Sequence, residues 1–201
     1  MQVQIIDPEQ LVMTISDFLM PEECKAYIAT SESRGYTPAP LTTSRGPVMD
    51  TNVRSNHRVM LDDPAVARGL WNRVRQLVPQ VALDWEDVPC QAVGLNERLR
   101  FFRYEKNQKF ARHYDGAYHR SSHEHSLLTF MVYLNDDFQG GETRFFNDYQ
   151  KERFFIQPRR GSALLFVHNQ MHEGSSVLEG CKYVLRSDVM YRRKTAHTIQ
   201  G

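Results

Sequence analysis

Apolar residues are spaced differently in the two halves of the chain. In the first ninety residues they recur at helical spacing in two places. Pro21 opens one segment at the position where a missing N–H does no harm, and Cys24, Tyr27 and Ile28 form its buried face at i, i+3 and i+4. Pro64 opens the other; Val66, Leu70, Val74, Leu77 and Val78 are its stripe, and Pro79 stops it. A short strand over residues 11–15 precedes the first helix. Between the helices, residues 35–56 are rich in Gly, Pro, Ser, Thr and Asn and poor in large apolar groups, which marks a functional loop or a disordered stretch.

From about residue 91 the pattern becomes that of strands: 99–104, 127–134, 142–146, 153–157, 162–167 and 182–191. Turn signals separate them at Gly140-Gly141, Asn147-Asp148, Pro158 to Gly161 and Gly180. Residues 127–134 are apolar on both faces, which predicts a strand packed between a barrel interior and helices outside. The expectation is an α+β chain with a jelly-roll core and N-terminal supporting helices. Residues 1–90 form the support, with 35–56 as a substrate loop. Residues 91–201 form the core, and the whole is one compact unit.

Composition narrows the class. The chain has 201 residues, 41% hydrophobic and 24% charged, enough to build a core and incompatible with disorder as the main state. Lys and Arg number 25 against 24 Asp and Glu, so no general affinity for nucleic acid or a membrane surface is expected. Arg192-Arg193-Lys194, the basic cluster, reads as a solvated tail. Cys24, Cys90 and Cys181 are too few and too scattered for a disulfide framework or a CxxC motif, which suits a reducing compartment. The N-terminus lacks a signal-peptide pattern and Leu127–Leu134 is too short for a span, so the expectation is a soluble cytoplasmic protein.

The chemistry-bearing residues begin with His113-Tyr114-Asp115. Residues i and i+2 of a strand face one way, so imidazole and carboxylate converge as metal ligands do. Alone the pair is a weak signal. His172 follows far downstream, after an apolar strand and before Glu173-Gly174. Ten residues further, Lys182 opens another apolar strand. Two His and one carboxylate leave three octahedral positions open, the facial triad of non-haem Fe(II) oxygenases. A cation inside a barrel needs an anion, and a dicarboxylate co-substrate would supply one.

On these residues the chain resembles the 2-oxoglutarate- and Fe(II)-dependent dioxygenases, in their prolyl 4-hydroxylase branch. The resemblance spans roughly residues 54–191. It rests on Tyr104 nine residues before the H-x-D, Gly140-Gly141-Glu142-Thr143-x-Phe145, Pro158-x-x-Gly161-x-Ala163-Leu-Leu-Phe166, and His172-Glu-Gly-x-x-Val177-x-x-Gly180-x-Lys182. It implies a double-stranded β-helix in which His113, Asp115 and His172 ligate Fe(II). Lys182 would pair with the distal carboxylate of 2-oxoglutarate, with the Tyr104 hydroxyl on the same group. It implies O2 as co-substrate, ascorbate as reductant, release of succinate and CO2, and hydroxylation of a prolyl residue in a peptide or protein. Arg54-Ser55-Asn56 resembles a segment that contributes to peptide binding in that branch.

Other readings stay open at this point. Arg186 shares a face with Lys182 and could bind the co-substrate or an acidic substrate, or pair with Asp188. Asp188 faces inward where prolyl hydroxylases commonly carry an aromatic residue. The pair could read the charged ends of a free amino acid, which keeps a small-molecule substrate in play. A non-catalytic, cupin-like metal-binding protein is the alternative from another class. His119, His123 and His125 read as a solvated loop, and His168 as exposed or lying just behind the metal ligands.

Overall fold

The alternation from residue 91 onward folds as two facing sheets, and strands from the first ninety residues extend the larger one. The computed structural model describes residues 1–8, 11–43 and 45–194. The elements begin with β1 (Gln2–Asp7), β2 (Val12–Ser16) and α1 (Pro21–Arg34). There follow β3 (Thr37–Pro38), β4 (Leu41–Thr43), β5 (Gly46–Val48), β6 (His57–Asp62) and α2 (Pro64–Val74). Next come β7 (Val81–Leu83), β8 (Pro89–Leu95), β9 (Arg98–Tyr104), β10 (Phe110–His113) and β11 (Glu124–Tyr133). The chain continues through β12 (Gln139–Gly140), β13 (Thr143–Phe146), β14 (Glu152–Ile156) and β15 (Ala163–Val167). It ends with β16 (His172–Gly174), β17 (Val177–Glu179) and β18 (Lys182–Arg193). The chain is mostly β-sheet with two helices, of jelly-roll type.

The large sheet runs β1-β2-β15-β11-β18-β9-β6-β3, with β8 also on β18 and β7 on β8. The small sheet runs β10-β16-β13-β14. Strand alternation divides the core in two. Leu128, Phe130 and Val132 of β11 point to one side, where they join Leu70 and Val74 of α2, Cys24 of α1 and Phe18. Tyr133 of β11 points to the other and packs with Phe102, Phe145, Phe166 and Val184 between the sheets. A strand apolar on both faces is therefore buried on both, as its sequence requires. Each fully buried large side chain contributes about 1.5–3 kcal/mol.

The helices are set by local chemistry. Asp63 caps α2, its carboxylate accepting from the Ala65 and Val66 amides at 3.0 and 2.9 Å. Arg73 of α2 pairs with Glu23 of α1 at 2.6 Å, tying the helices together. The α2 stripe stops short of expectation: the helix ends at Val74, and Leu77 and Val78 reach the core from a turn. Proline disfavours helical geometry in the residues just ahead of it, so Pro79 acts upstream of its own position.

Other expectations need correction. Residues 35–56 are not featureless: β4 and β5 form a hairpin there, and Arg54 and Asn56 are buried. Arg192 and Arg193 end β18 rather than forming a tail: Arg192 is exposed and pairs with Glu124, whereas half-buried Arg193 pairs with Asp84 and Glu86. His125 is not in a loop; it lies in β11, 1% exposed. No helix among the described residues is long and apolar enough to cross a membrane.

Gly161 joins the α1 entrance to the sheet. Its φ is +76°, and a Cβ there would lie 2.3 Å from the Leu19 carbonyl oxygen, whose own amide donates to the Gly161 carbonyl at 3.0 Å. Gly161→Ala is expected to cost at least about 1–3 kcal/mol of backbone strain. Urea unfolding of the purified variant checks this, and an unchanged midpoint would refute it.

Candidate metal centre and co-substrate pocket

Small-sheet register brings the two histidines together. His113, the last residue of β10, is the direct partner of His172, the first of β16. Asp115 lies beyond the end of β10, where its amide donates to the His168 carbonyl at 3.1 Å and turns the carboxylate inward. Its Oδ1 is 3.6 Å from His113 Nε2, and its Oδ2 is 3.7 Å from His172 Nε2. The three potential ligand atoms lie within 4.8 Å of one another.

The imidazoles are preset. His113 Nδ1 donates to the Ala111 carbonyl at 2.7 Å, and His172 Nδ1 to the Gln170 carbonyl at 2.9 Å. Those bonds leave both Nε2 lone pairs facing Asp115, the tautomer a metal needs. Burial pushes the His172 pKa down to about 4, so the ring is neutral and ready to ligate. Phe110 stacks on His113 with centroids 3.5 Å apart, and Phe166 meets His172 edge-on.

Asp115 is held from behind. Thr129 donates to Oδ2 at 2.5 Å, and Arg186 Nη1 to Oδ1 at 2.7 Å. Each carboxylate oxygen keeps a second lone pair for a cation. His168 lies behind the ligands: its Nδ1 is 3.1 Å from Thr129 Oγ1 and its Nε2 2.8 Å from Ser126 Oγ. Thr129 has one proton and spends it on Asp115, so His168 Nδ1 donates and Nε2 accepts from Ser126. Burial raises the Asp115 carboxyl pKa, but Arg186, His172 and His113 outweigh it and hold the group well below its usual range.

The charge chain continues outward. Arg186 Nη2 lies 3.3 Å from Asp188 Oδ1, and Arg100 Nη1 is 2.7 Å from Asp188 Oδ2. The structure thus places Arg186 on the Asp115 carboxylate, a candidate ligand. Sequence reasoning missed Arg100 and Thr129. Their signal was polar residues at inward positions of the apolar segments 99–104 and 127–134.

Lys182 is 3% exposed, and its Nζ donates to the Gly141 carbonyl at 2.6 Å. The rings of Tyr104 and Tyr133 lie 5.3 and 5.4 Å away. No carboxylate lies within ion-pair distance among the described residues. Burial pushes its pKa down to about 7. Gly141 has φ +69°, and a Cβ there would press to 3.2 Å on the Lys182 stem, so this turn lets the ammonium in. One pocket is lined by His113, Asp115, His172, Lys182, Tyr104 and Thr143. Tyr104 is the register partner of Lys182.

Arg54 backs two residues that line this pocket. Its guanidinium stacks on Phe110 and Phe102 at 4.3 and 4.8 Å, Nε donates to Asn56 Oδ1, and Nη2 is buried without a partner. His119 and His123 are exposed. Asp84, Cys90 and buried His125 form a second donor cluster, but Arg193 Nε already holds Asp84 Oδ2 at 2.6 Å.

The donor set fits Fe(II): two neutral imidazole nitrogens, one carboxylate and open positions toward a pocket. The buried Lys182 ammonium fits the far carboxylate of a dicarboxylate held at that metal.

Comparison with known proteins agrees. The 2OG-Fe(II) oxygenase superfamily matches residues 99–187. Probable prolyl 4-hydroxylase 10 of Arabidopsis thaliana is 26% identical over 208 residues, covering 90% of this chain and 69% of the relative. Among solved structures, a Pseudomonas putida prolyl-4-hydroxylase superposes with TM-score 0.65 at 16% identity, over 92% of this chain and 94% of the other. A Trichoplax adhaerens prolyl hydroxylase, solved with a hypoxia inducible factor peptide fragment, gives 0.63 at 15% identity, over 94% and 87%. Family match, relatives and fold agree with the triad and support a 2-oxoglutarate–Fe(II) oxygenase of prolyl 4-hydroxylase-like kind.

Proposed function

We propose that this dioxygenase hydroxylates a prolyl residue in a peptide or protein, with His113, Asp115 and His172 holding Fe(II). Lys182 takes the distal carboxylate of 2-oxoglutarate, and Tyr104 closes the same end of the pocket. The observation that carries the reading is Lys182, a buried cation without an acid, in the pocket that holds the triad. A metal-binding barrel without turnover has no need of it. The prolyl substrate is supported by the relatives, which are named prolyl 4-hydroxylases. Against a free amino acid, Arg186 and Asp188 are spent on Asp115, Arg100 and each other. Three unpaired thiols favour a reducing, cytoplasmic setting, and ascorbate is the reductant we would supply. Residues 91–201, of which 195–201 lie outside the described residues, are the catalytic core, with 1–90 as its support.

When bound, iron and 2-oxoglutarate supply the oxidation, in which O2 is consumed, succinate and CO2 leave and one oxygen enters a C–H bond. The chain's own work is placement. The Ala111 and Gln170 carbonyls fix the imidazoles, and Arg186 with Thr129 fixes Asp115. Phe102, Phe110, Met131, Phe166 and Val184 wall the pocket against water.

His113→Ala and His172→Ala are expected to lose both bound iron and succinate formation; wild-type iron content in either variant would sink the ligand assignment. Co-substrate affinity should depend on pH through Lys182. Its pKa is about 7 in the folded protein against an ordinary 10.5, so the unfolded chain binds more protons between those values. Stability of the ligand-free protein therefore gains from this group as pH rises through that window. Binding of the dianion demands the ammonium, so 2-oxoglutarate affinity falls by up to about tenfold per unit above pH 7. Calorimetry in buffers of different ionisation enthalpy detects the proton uptake, and Lys182→Ala abolishes it. Arg186→Met leaves Asp115 and Asp188 short of a partner, for an expected loss of about 3–5 kcal/mol in unfolding free energy. Added Co(II) narrows that gap, because it returns positive charge to Asp115. A gap that Co(II) leaves unchanged would show that Arg186 does not act through Asp115.

A further inference from the structure

Charge on the inner face of the large sheet does not balance. Val59, Phe101 and Leu185 point to the helix side, whereas Phe102 and Val184 point between the sheets. In the register of β6, β9 and β18, Arg58 pairs with Phe102, and Arg100 pairs with both Met60 and Arg186. Alternation therefore puts Arg58, Arg100, Lys182 and Arg186 on the inner face. Arg54 joins them through its stacking on Phe102. Among the described residues two carboxylates make ion pairs with these cations, Asp115 and Asp188.

Partners can be assigned in turn. Arg186 is spent on Asp115 and Arg100 on Asp188. Lys182 takes one end of 2-oxoglutarate, and the other end belongs to the metal. Arg54 and Arg58 are left over. Arg54 is 8% exposed, and its Nη2 has no partner. Arg58 is half-buried and makes no ion pair with a described residue; burial and the neighbouring Arg100 both work against its charge. Met60, next along the same face, is 50% exposed, so the face opens to solvent there. An unpaired, half-buried guanidinium on a cationic face, one strand over from the pocket residue Phe102, is unfavourable until an anion arrives.

We propose that the substrate carries a carboxylate close to the residue hydroxylated, and that Arg58, backed by Arg54, docks it where this face opens to solvent beside Met60. This deepens the hydroxylase reading and rests on it. The carboxylate has two sources, an Asp or Glu side chain of a peptide or a chain end.

The test uses the Fe(II)- and 2-oxoglutarate-loaded chain without oxygen. Fluorescent peptides with one central proline carry Glu, Gln or Lys beside it, each with a free or amidated C-terminus. Binding is read by anisotropy. The Glu peptides should bind at least roughly tenfold tighter than their Gln counterparts, the size of one charge-assisted contact. Arg58→Gln should erase that ratio, and Arg58→Lys should keep part of it. A preference that follows the free C-terminus instead assigns the same dock to a chain end. Equal affinities of Glu and Gln peptides at either terminus, a preference for Lys, or no binding at all would each overturn the proposal. Admitting oxygen separates the two readings by mass: an acidic peptide that docks but gains no oxygen atom upholds the dock and defeats the prolyl hydroxylase assignment.

Discussion

Positive charge held in a dry interior must find an anion, and this constraint organises the site. A buried guanidinium or ammonium costs several kcal/mol unless it is paired and hydrogen-bonded. Arg186 meets the cost with Asp115 and Asp188, and Arg100 shares Asp188 with it. The same pairing aims the Asp115 carboxylate, so what makes the core tolerable also shapes the candidate metal centre. Lys182 and Arg54 are exceptions: Lys182 has a carbonyl oxygen where an acid would be expected, and Arg54 has the Asn56 amide oxygen and two aromatic rings.

Donor geometry alone does not single out the metal centre. Asp84, Cys90 and His125 converge as closely as His113, Asp115 and His172 do. What separates them is occupancy of the carboxylate. Asp84 has the Glu86 and Val88 amides on one oxygen and Arg193 on the other. Asp115 also bears two donors, yet both imidazole lone pairs still face it. The second cluster reads as a pin that fixes the β7–β8 turn to the end of β18. The triad reads as a site.

The sequence carried the triad and Lys182 because each sits in a local pattern: a two-residue step, a glycine turn, a cation opening an apolar strand. It carried β11 because burial on both faces leaves no polar alternation. It did not disclose that β1, β2 and β6 complete the large sheet, since pairing partners are set by contacts far apart in the chain. His125 and Arg193 misled for a related reason. Polar residues at the ends of strands look solvated until a distant Asp84 is brought against them. Arg186 was legible as inward-facing, but its choice of Asp115 required the turn that His168 imposes on the backbone after His113.

One strand, β18, carries Lys182, Arg186 and Asp188 on its inner face and Leu185 and Val189 on its outer one. A pleated strand offers no way to move one of these without the others. Inserting or deleting a single residue inside β18 would turn the inner charges into the helix-packed core and the outer leucine and valine into the pocket. Length variation is therefore closed to this strand. The exposed β4–β5 hairpin lies outside both sheets and has no such restriction. Residues can be added to that hairpin without shifting the register of either sheet, so the face that carries Lys182, Arg186 and Asp188 stays unchanged.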